Sequence, residues 1–329
     1  MRIKLSTTLR WPIERQIPAG WDEAGVEFVI NRPCDRCDAW VVYQGLHRPE
    51  TTIVPPDRLF FFGYEPPGLH DYAPAFLDQF AAVVTCQEVL HRRIIRRHQA
   101  QPWLAGVIRS GSDNLHQGFG YRFGHSELAA MKPPQKVRPL SAVCSNKRMI
   151  PGHAERLAVI EALQGRLGDR LDLFGYGFRP LEDKWDAIAP YRYHLVLENS
   201  SVPNYWTEKL ADAFLGWSVP IVWGCPNLFE YFPPESFISL DTTDPIRAAA
   251  QAAEAISVEP SERRLLAVAE ARRRVLDEYN LFAEIRRLAE STPAATAKRI
   301  TLRDERLFLP GGWWRPIVRP LTDWLRRDT

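Results

Sequence analysis

Cysteine is scarce in this sequence. Five occur, Cys34, Cys37, Cys86, Cys144 and Cys225, an odd and scattered set that gives no disulfide framework and suits a reducing compartment. Cys34 and Cys37 make a single CxxC with no second pair and no histidine pair beside it, too few ligands for a zinc site, so two incidental loop thiols are expected. Charge of one sign is also lacking: 42 basic residues stand against 40 acidic ones, without the basic excess of a general nucleic-acid binder. No window approaches the ~20 consecutive apolar residues of a spanning helix. The opening Met1–Arg10 has no uninterrupted apolar stretch of the signal-peptide kind. A membrane-anchored protein is therefore not expected, and a bacterial-style cytoplasmic one is.

What is present is the composition of a globular chain, 45% hydrophobic and 25% charged over 329 residues, enough for two domains with their own cores. Short apolar runs at Val26–Ile30, Ala39–Tyr43, Leu59–Gly63 and Ala81–Cys86 read as buried parallel strands. Glycines and prolines between Phe119 and Pro139 suggest a linker. The alternation then restarts, with strands at Leu140–Cys144, Leu171–Phe174, His194–Leu197, Pro220–Trp223 and Phe237–Leu240, and helices at His153–Leu167 and Glu208–Trp217. After Pro245 the chain reads as mostly helical to about Ser291. The expected fold is α/β, with two doubly wound domains facing a cleft: 1–135, 136–290, and a Trp/Arg-rich tail over 291–329.

The most informative stretch begins at Tyr191. A strand runs into Glu198-Asn199-Ser200, a loop leads to Tyr205, and Thr207-Glu208-Lys209 opens a helix with apolar Leu210, Ala213, Phe214 and Trp217 on one face. Ligands of open α/β sheets sit where a strand's carboxyl end turns into a helix, and free amides there favour a diphosphate. Lys209, expected to be exposed, adds a mobile cation, and Glu208 an acceptor for sugar or ribose hydroxyls. On the residues alone, a Glu-Lys pair on a solvated first turn is the more frequent account.

The order Glu198-Asn199-Ser200, Tyr205-Trp206-Thr207-Glu208-Lys209-Leu210, Val219-Pro220-Ile221-Val222-Trp223-Gly224 and Phe232–Ile238 resembles the signature of glycosyltransferase family 10, the α-1,3-fucosyltransferases. Weaker similarity reaches back to Ser145 and includes Leu171–Gly177. The resemblance implies a GT-B-like fold and a soluble, inverting enzyme that moves L-fucose from GDP-fucose to a glycan hydroxyl, in surface polysaccharide or lipopolysaccharide synthesis. It implies donor contacts at Asn199, Tyr205, Glu208 and Lys209, with Lys209 on the diphosphate and Arg156 as a further phosphate partner; a solvated helix arginine is the alternative for Arg156. Trp206 departs from the family's smaller aliphatic residue and bears on sugar choice if it faces the donor. A different nucleotide sugar, or a non-catalytic glycan-binding protein on the same fold, are the other readings.

An inverting displacement requires a base for the acceptor hydroxyl. Glu65, after the apolar run Leu59–Phe62, is the candidate, with His70 and Asp71 as rivals and a turn-capping role as the plain alternative. No Asp-x-Asp triplet occurs, so fixed cations are expected to hold the leaving diphosphate, with no metal or other cofactor. Two basic stretches remain. His91–His98 reads as a solvated helix face with Ile94 and Ile95 inward, or as a face for an anionic glycan or membrane. Trp313–Arg327, with three Trp and four Arg, reads either as a peripheral contact with anionic membrane or as core packing.

Overall fold

A computed structural model describes residues 1–110, 118–146, 151–240 and 244–309. The first unit holds β1 (Arg2–Thr7), β2 (Glu27–Ile30), β3 (Ala39–Tyr43), β4 (Glu50–Val54), β5 (Leu59–Phe62), the short helix α1 (Pro74–Leu77), β6 (Ala82–Thr85) and β7 (Ile94–Arg96). Six of these strands make one parallel sheet in the order β2-β1-β3-β5-β6-β7. Both faces are covered, which is why the strands read as continuous apolar runs. Along β3, Ala39, Val41 and Tyr43 enter one core while Trp40 and Val42 enter the other, as the two-residue period of a strand requires.

β8 (Val107–Ser110) pairs antiparallel with β9 (Gly118–Tyr121), and most of β9 with α2 (His125–Ala130) falls in the stretch expected as a linker. The second unit follows: β10 (Arg138–Val143), α3 (Pro151–Leu167), β11 (Leu171–Phe174), β12 (Tyr191–Leu197), α4 (Glu208–Leu215), β13 (Val219–Trp223) and β14 (Ile238–Ser239). Its parallel sheet runs β11-β10-β12-β13-β14. The two sheets share one order, second-first-third and onward, so each reverses between its first and third strand. Ligand crevices of such sheets open at that reversal, outside the carboxyl ends.

The chain then continues through α5 (Pro245–Ala255), α6 (Glu262–Asp277), α7 (Leu281–Ser291) and β15 (Lys298–Leu302). Here sequence order and packing part. α5 and α6 join the core of the second sheet, but Leu281, Phe282, Ile285 and Ala289 of α7 complete a core of the first. β15, inside the expected tail, pairs antiparallel with β4. The boundary expected at 290 thus falls inside a helix of the first unit, because helical periodicity shows that a face is buried and not against which sheet. Residues 310–329, with the Trp313–Arg327 reading, lie outside the described residues.

Two other local expectations change. Ile94–Arg96 is an edge strand paired to β6, not a helix, and its adjacent isoleucines are both half-buried. β1 has no counterpart among the expected strands, although Ile3 and Leu5 are fully buried near the middle of the sheet. Its lysine hides it: Lys4 is buried by an ion pair to Glu50 at 2.9 Å and a seat over the Trp40 ring. Among the described residues no helix is long and apolar enough to cross a membrane.

Candidate donor site and facing carboxylate

At the carboxyl end of β12 stands Glu198, wholly buried. Its carboxylate accepts from the Thr207 amide at 2.9 Å, the Thr207 hydroxyl at 2.8 Å and the Lys209 ammonium at 3.0 Å. Thr207 caps α4 by accepting from the Lys209 amide. One carboxylate therefore closes the loop from 198 to 207 on the first turn of the helix. Gly224, at the end of β13, is required by this closure: its φ is +127°, and a Cβ there would lie 2.7 Å from the Glu198 Cβ.

Lys209 is less open than expected, with its side chain 21% exposed. Burial works against its charge, but Glu198 and Glu208 outweigh it and hold the pKa above the ordinary value. Glu208 is buried; burial alone would raise its pKa, yet Lys209 and Lys184 hold it below the usual range, so it stays an ionised acceptor. Lys184 approaches Glu208 at 3.4 Å and Asp212 at 3.3 Å. Tyr205 is buried beside them.

Arg156 comes from α3, which follows β10, while Asn199 follows β12; the two strands flank the reversal of the second sheet. Arg156 donates to the Asn199 side-chain oxygen at 2.9 Å and, more weakly, to the Ser145 carbonyl at 3.4 Å. Its Nε is buried without a partner among the described residues. The Arg156 charge also opposes that of Lys209, so two cations share one corner at the reversal point. α3, the loop after β12 and the first turn of α4 therefore place Arg156, Asn199, Tyr205, Glu208 and Lys209 near one another.

Glu65 follows β5 across the seam, 2% exposed, with Oε1 buried and unpartnered among the described residues. Burial pushes its carboxyl up to about 7; Lys209 pulls it down and Glu208 pushes it up, which places the group in the field of the second unit's site. Its rivals are placed otherwise. His70 is held by Glu305 at 2.8 Å, and Asp71 is exposed. Trp206 turns away from this corner. It stacks on His98 of the first unit at 4.6 Å and lies edge-on to Tyr231, Phe232 and Tyr279, so the residue most at odds with the family pattern fills the seam between units. Among the described residues, no group of His, Cys, Asp or Glu forms a metal-ligating cluster.

The roles of Glu198 and Lys184 were missing from the sequence reading. Glu198 had a signal, being an acidic residue at a strand end nine positions before a helix cap. Lys184 had none.

Two parallel sheets of matching order, with a cationic corner at the reversal point of the second, define an α/β protein of the GT-B type. Residues 133–263 match the profile of "Glycosyltransferase family 10 (fucosyltransferase) C-term". Over 142 residues it is 27% identical to the alpha-(1,3)-fucosyltransferase FucT of Helicobacter pylori, a match covering 43% of this chain and 25% of that protein. Over 94 residues it is 33% identical to the human 4-galactosyl-N-acetylglucosaminide 3-alpha-L-fucosyltransferase FUT6, covering 27% of this chain and 26% of that one. The matches span about a quarter of the length of these relatives. A solved alpha1,3-fucosyltransferase with GDP-fucose superposes at TM-score 0.42 and 16% identity, over 85% of this chain and 92% of that one. At that score the fold assignment stays with the sheets' own topology.

Proposed function

We propose that this chain is an inverting, metal-independent glycosyltransferase that moves L-fucose from GDP-fucose to a glycan hydroxyl, in surface polysaccharide or lipopolysaccharide synthesis. The observation that carries the reading is Glu65, a buried carboxyl with a pKa of about 7 in the field of Lys209 and Glu208. A group so tuned can take a proton near neutral pH. In this reading Glu65 accepts the acceptor hydroxyl's proton as that oxygen attacks the sugar's anomeric carbon, and the bond to the diphosphate breaks. Lys209 and Arg156 receive the charge on the departing diphosphate. Glu208 and Asn199 face hydroxyl groups of the nucleotide sugar, and Tyr205 lines the same corner.

A thermal-shift panel of GDP, UDP and ADP tests the donor half. GDP should raise the melting temperature most, by linkage to the folded state; a chain that no nucleotide stabilises is not this enzyme. Transfer is then assayed with GDP-fucose and 4-galactosyl-N-acetylglucosamine, the acceptor in the human relative's name. EDTA should leave the rate unchanged. Loss on chelation with recovery in Mn²⁺ would replace the cationic corner by a metal.

The proposed location is cytoplasmic, peripheral on the inner membrane face through residues 313–327. The support is their three Trp and four Arg. Full-length protein should cosediment with anionic liposomes and a truncation after Pro310 should not. Equal binding by both removes the tail from the interaction.

A further inference from the structure

The carboxyl edge of the first sheet holds three polar atoms that no described residue satisfies. Tyr43 closes β3, and Tyr64 and Glu65 follow the adjacent β5, whose Phe62 is aligned with Tyr43. The two tyrosine rings meet edge to face at 5.8 Å, and both residues are fully buried. Yet the Tyr43 hydroxyl, the Tyr64 hydroxyl and Glu65 Oε1 have no hydrogen-bond partner among the described residues. Native interiors rarely leave such groups unpaired, least of all three together.

A loose loop does not explain them. The Tyr64 amide donates to the Tyr72 hydroxyl at 3.0 Å, Gln101 donates to the Tyr64 carbonyl at 2.9 Å, and Gln87 donates to the Glu65 carbonyl at 2.7 Å. The backbone is pinned on every side while the side-chain oxygens are left over. Burial first, and then Glu208 and Glu65 among the nearby groups, push both tyrosines well above their ordinary pKa, so both keep their protons. Tyr205 responds to Glu65 and Glu208 in the same way.

We propose that Tyr43 and Tyr64, with Glu65, form a subsite for the hydroxyl groups of a neutral hexose. A phenol donates and accepts, a carboxylate accepts, and a sugar hydroxyl does both, so the three can be satisfied by one polyol. The trio carries no cation, and Glu65 and Glu208 disfavour an anion beside it. The diphosphate therefore belongs at Arg156 and Lys209, and the tyrosines meet an uncharged ring. Both the transferred sugar and the acceptor's terminal sugar have this chemistry. The inference rests on the transferase reading, in which the sugar is bound beside its base.

The test is Tyr43→Phe and Tyr64→Phe, each removing one hydroxyl and nothing else. Since neither hydroxyl has a partner among the described residues, the melting temperature should stay or rise. GDP should bind as before. Loss of a hydrogen bond to the sugar should weaken GDP-fucose binding, or raise KM for 4-galactosyl-N-acetylglucosamine, on the order of 3- to 10-fold. Weaker GDP-fucose binding beside unchanged GDP binding assigns the subsite to the transferred sugar; a raised KM alone assigns it to the acceptor. Variants that bind and turn over normally, or that only lose thermal stability, overturn the proposal. Wild-type protein that binds neither GDP nor GDP-fucose overturns the transferase reading itself, a separate result seen before any variant is made.

Discussion

Replacing Glu65 by Gln should slow transfer by about 10²–10⁴-fold while leaving GDP affinity nearly unchanged, because it deletes a proton acceptor and keeps the shape. The wild-type rate should rise with pH through about 7, since only the deprotonated carboxyl acts as a base. The same buried group has a second signature, of opposite sense. Its folded pKa lies above the unfolded value, so between roughly pH 4.5 and 7 the native state holds a proton that the unfolded chain has released. Stability from this site is therefore present at low pH and lost as pH rises towards 7, a penalty of up to roughly 3 kcal/mol. Glu65→Gln escapes it and should melt higher than wild type at pH 8. His70→Gln and Asp71→Asn serve as controls, one bonded to Glu305 and the other exposed. Near-normal turnover in Glu65→Gln, with a crippled control, moves the base to that control.

Lys209→Ala should damage both the fold and the site. Glu198 is wholly buried, and Lys209 is the cation at its carboxylate. Removing one partner of a buried ion pair strands the other, at a cost of about 3–5 kcal/mol. A loss of donor affinity of at least about tenfold should accompany it, as a charge-assisted hydrogen bond to the diphosphate disappears. The double variant Lys209→Met/Glu198→Gln separates the two effects: with no charge left to strand, stability should largely return while donor binding does not. Recovery of GDP binding in the double variant would take Lys209 off the diphosphate and leave it a structural partner of Glu198.

The reading of Lys209 shows what a sequence can and cannot carry. The loop from Glu198 to Lys209 was legible as strand end, cap and helix start because these are consecutive, and local order survives in the text. That Lys209 would be half-hidden by Glu198 was not, because the pair forms only when the loop folds back over eleven residues. The two-sheet architecture was legible for a related reason: doubly covered strands are written as apolar runs. β1 escaped because a buried lysine looks solvated until Glu50 and Trp40 are beside it. α7 was legible as a helix, but the strands β1 to β5 that it helps to cover lie more than two hundred residues upstream. Glu65 could be placed at a strand end, whereas its burial and its exposure to the charges of Lys209 and Glu208 arise from residues far away in the chain. The unpaired hydroxyls of Tyr43 and Tyr64 were the least legible of all, since an absence of partners has no spelling.

The return of α7 and β15 to the first sheet has a consequence for how the chain is made. The second unit is, in effect, an insertion within the first, whose strand β1 is made early and whose covering helix arrives only from residue 281 onward. Domains tend to fold as they emerge, earlier ones first. Here the earlier sheet must wait, with one apolar face bare, while the later unit is translated and completes its own core. The order of assembly is thus the reverse of the order of synthesis, and a nascent chain stalled before residue 281 should expose the face that Phe282 and Ile285 later cover.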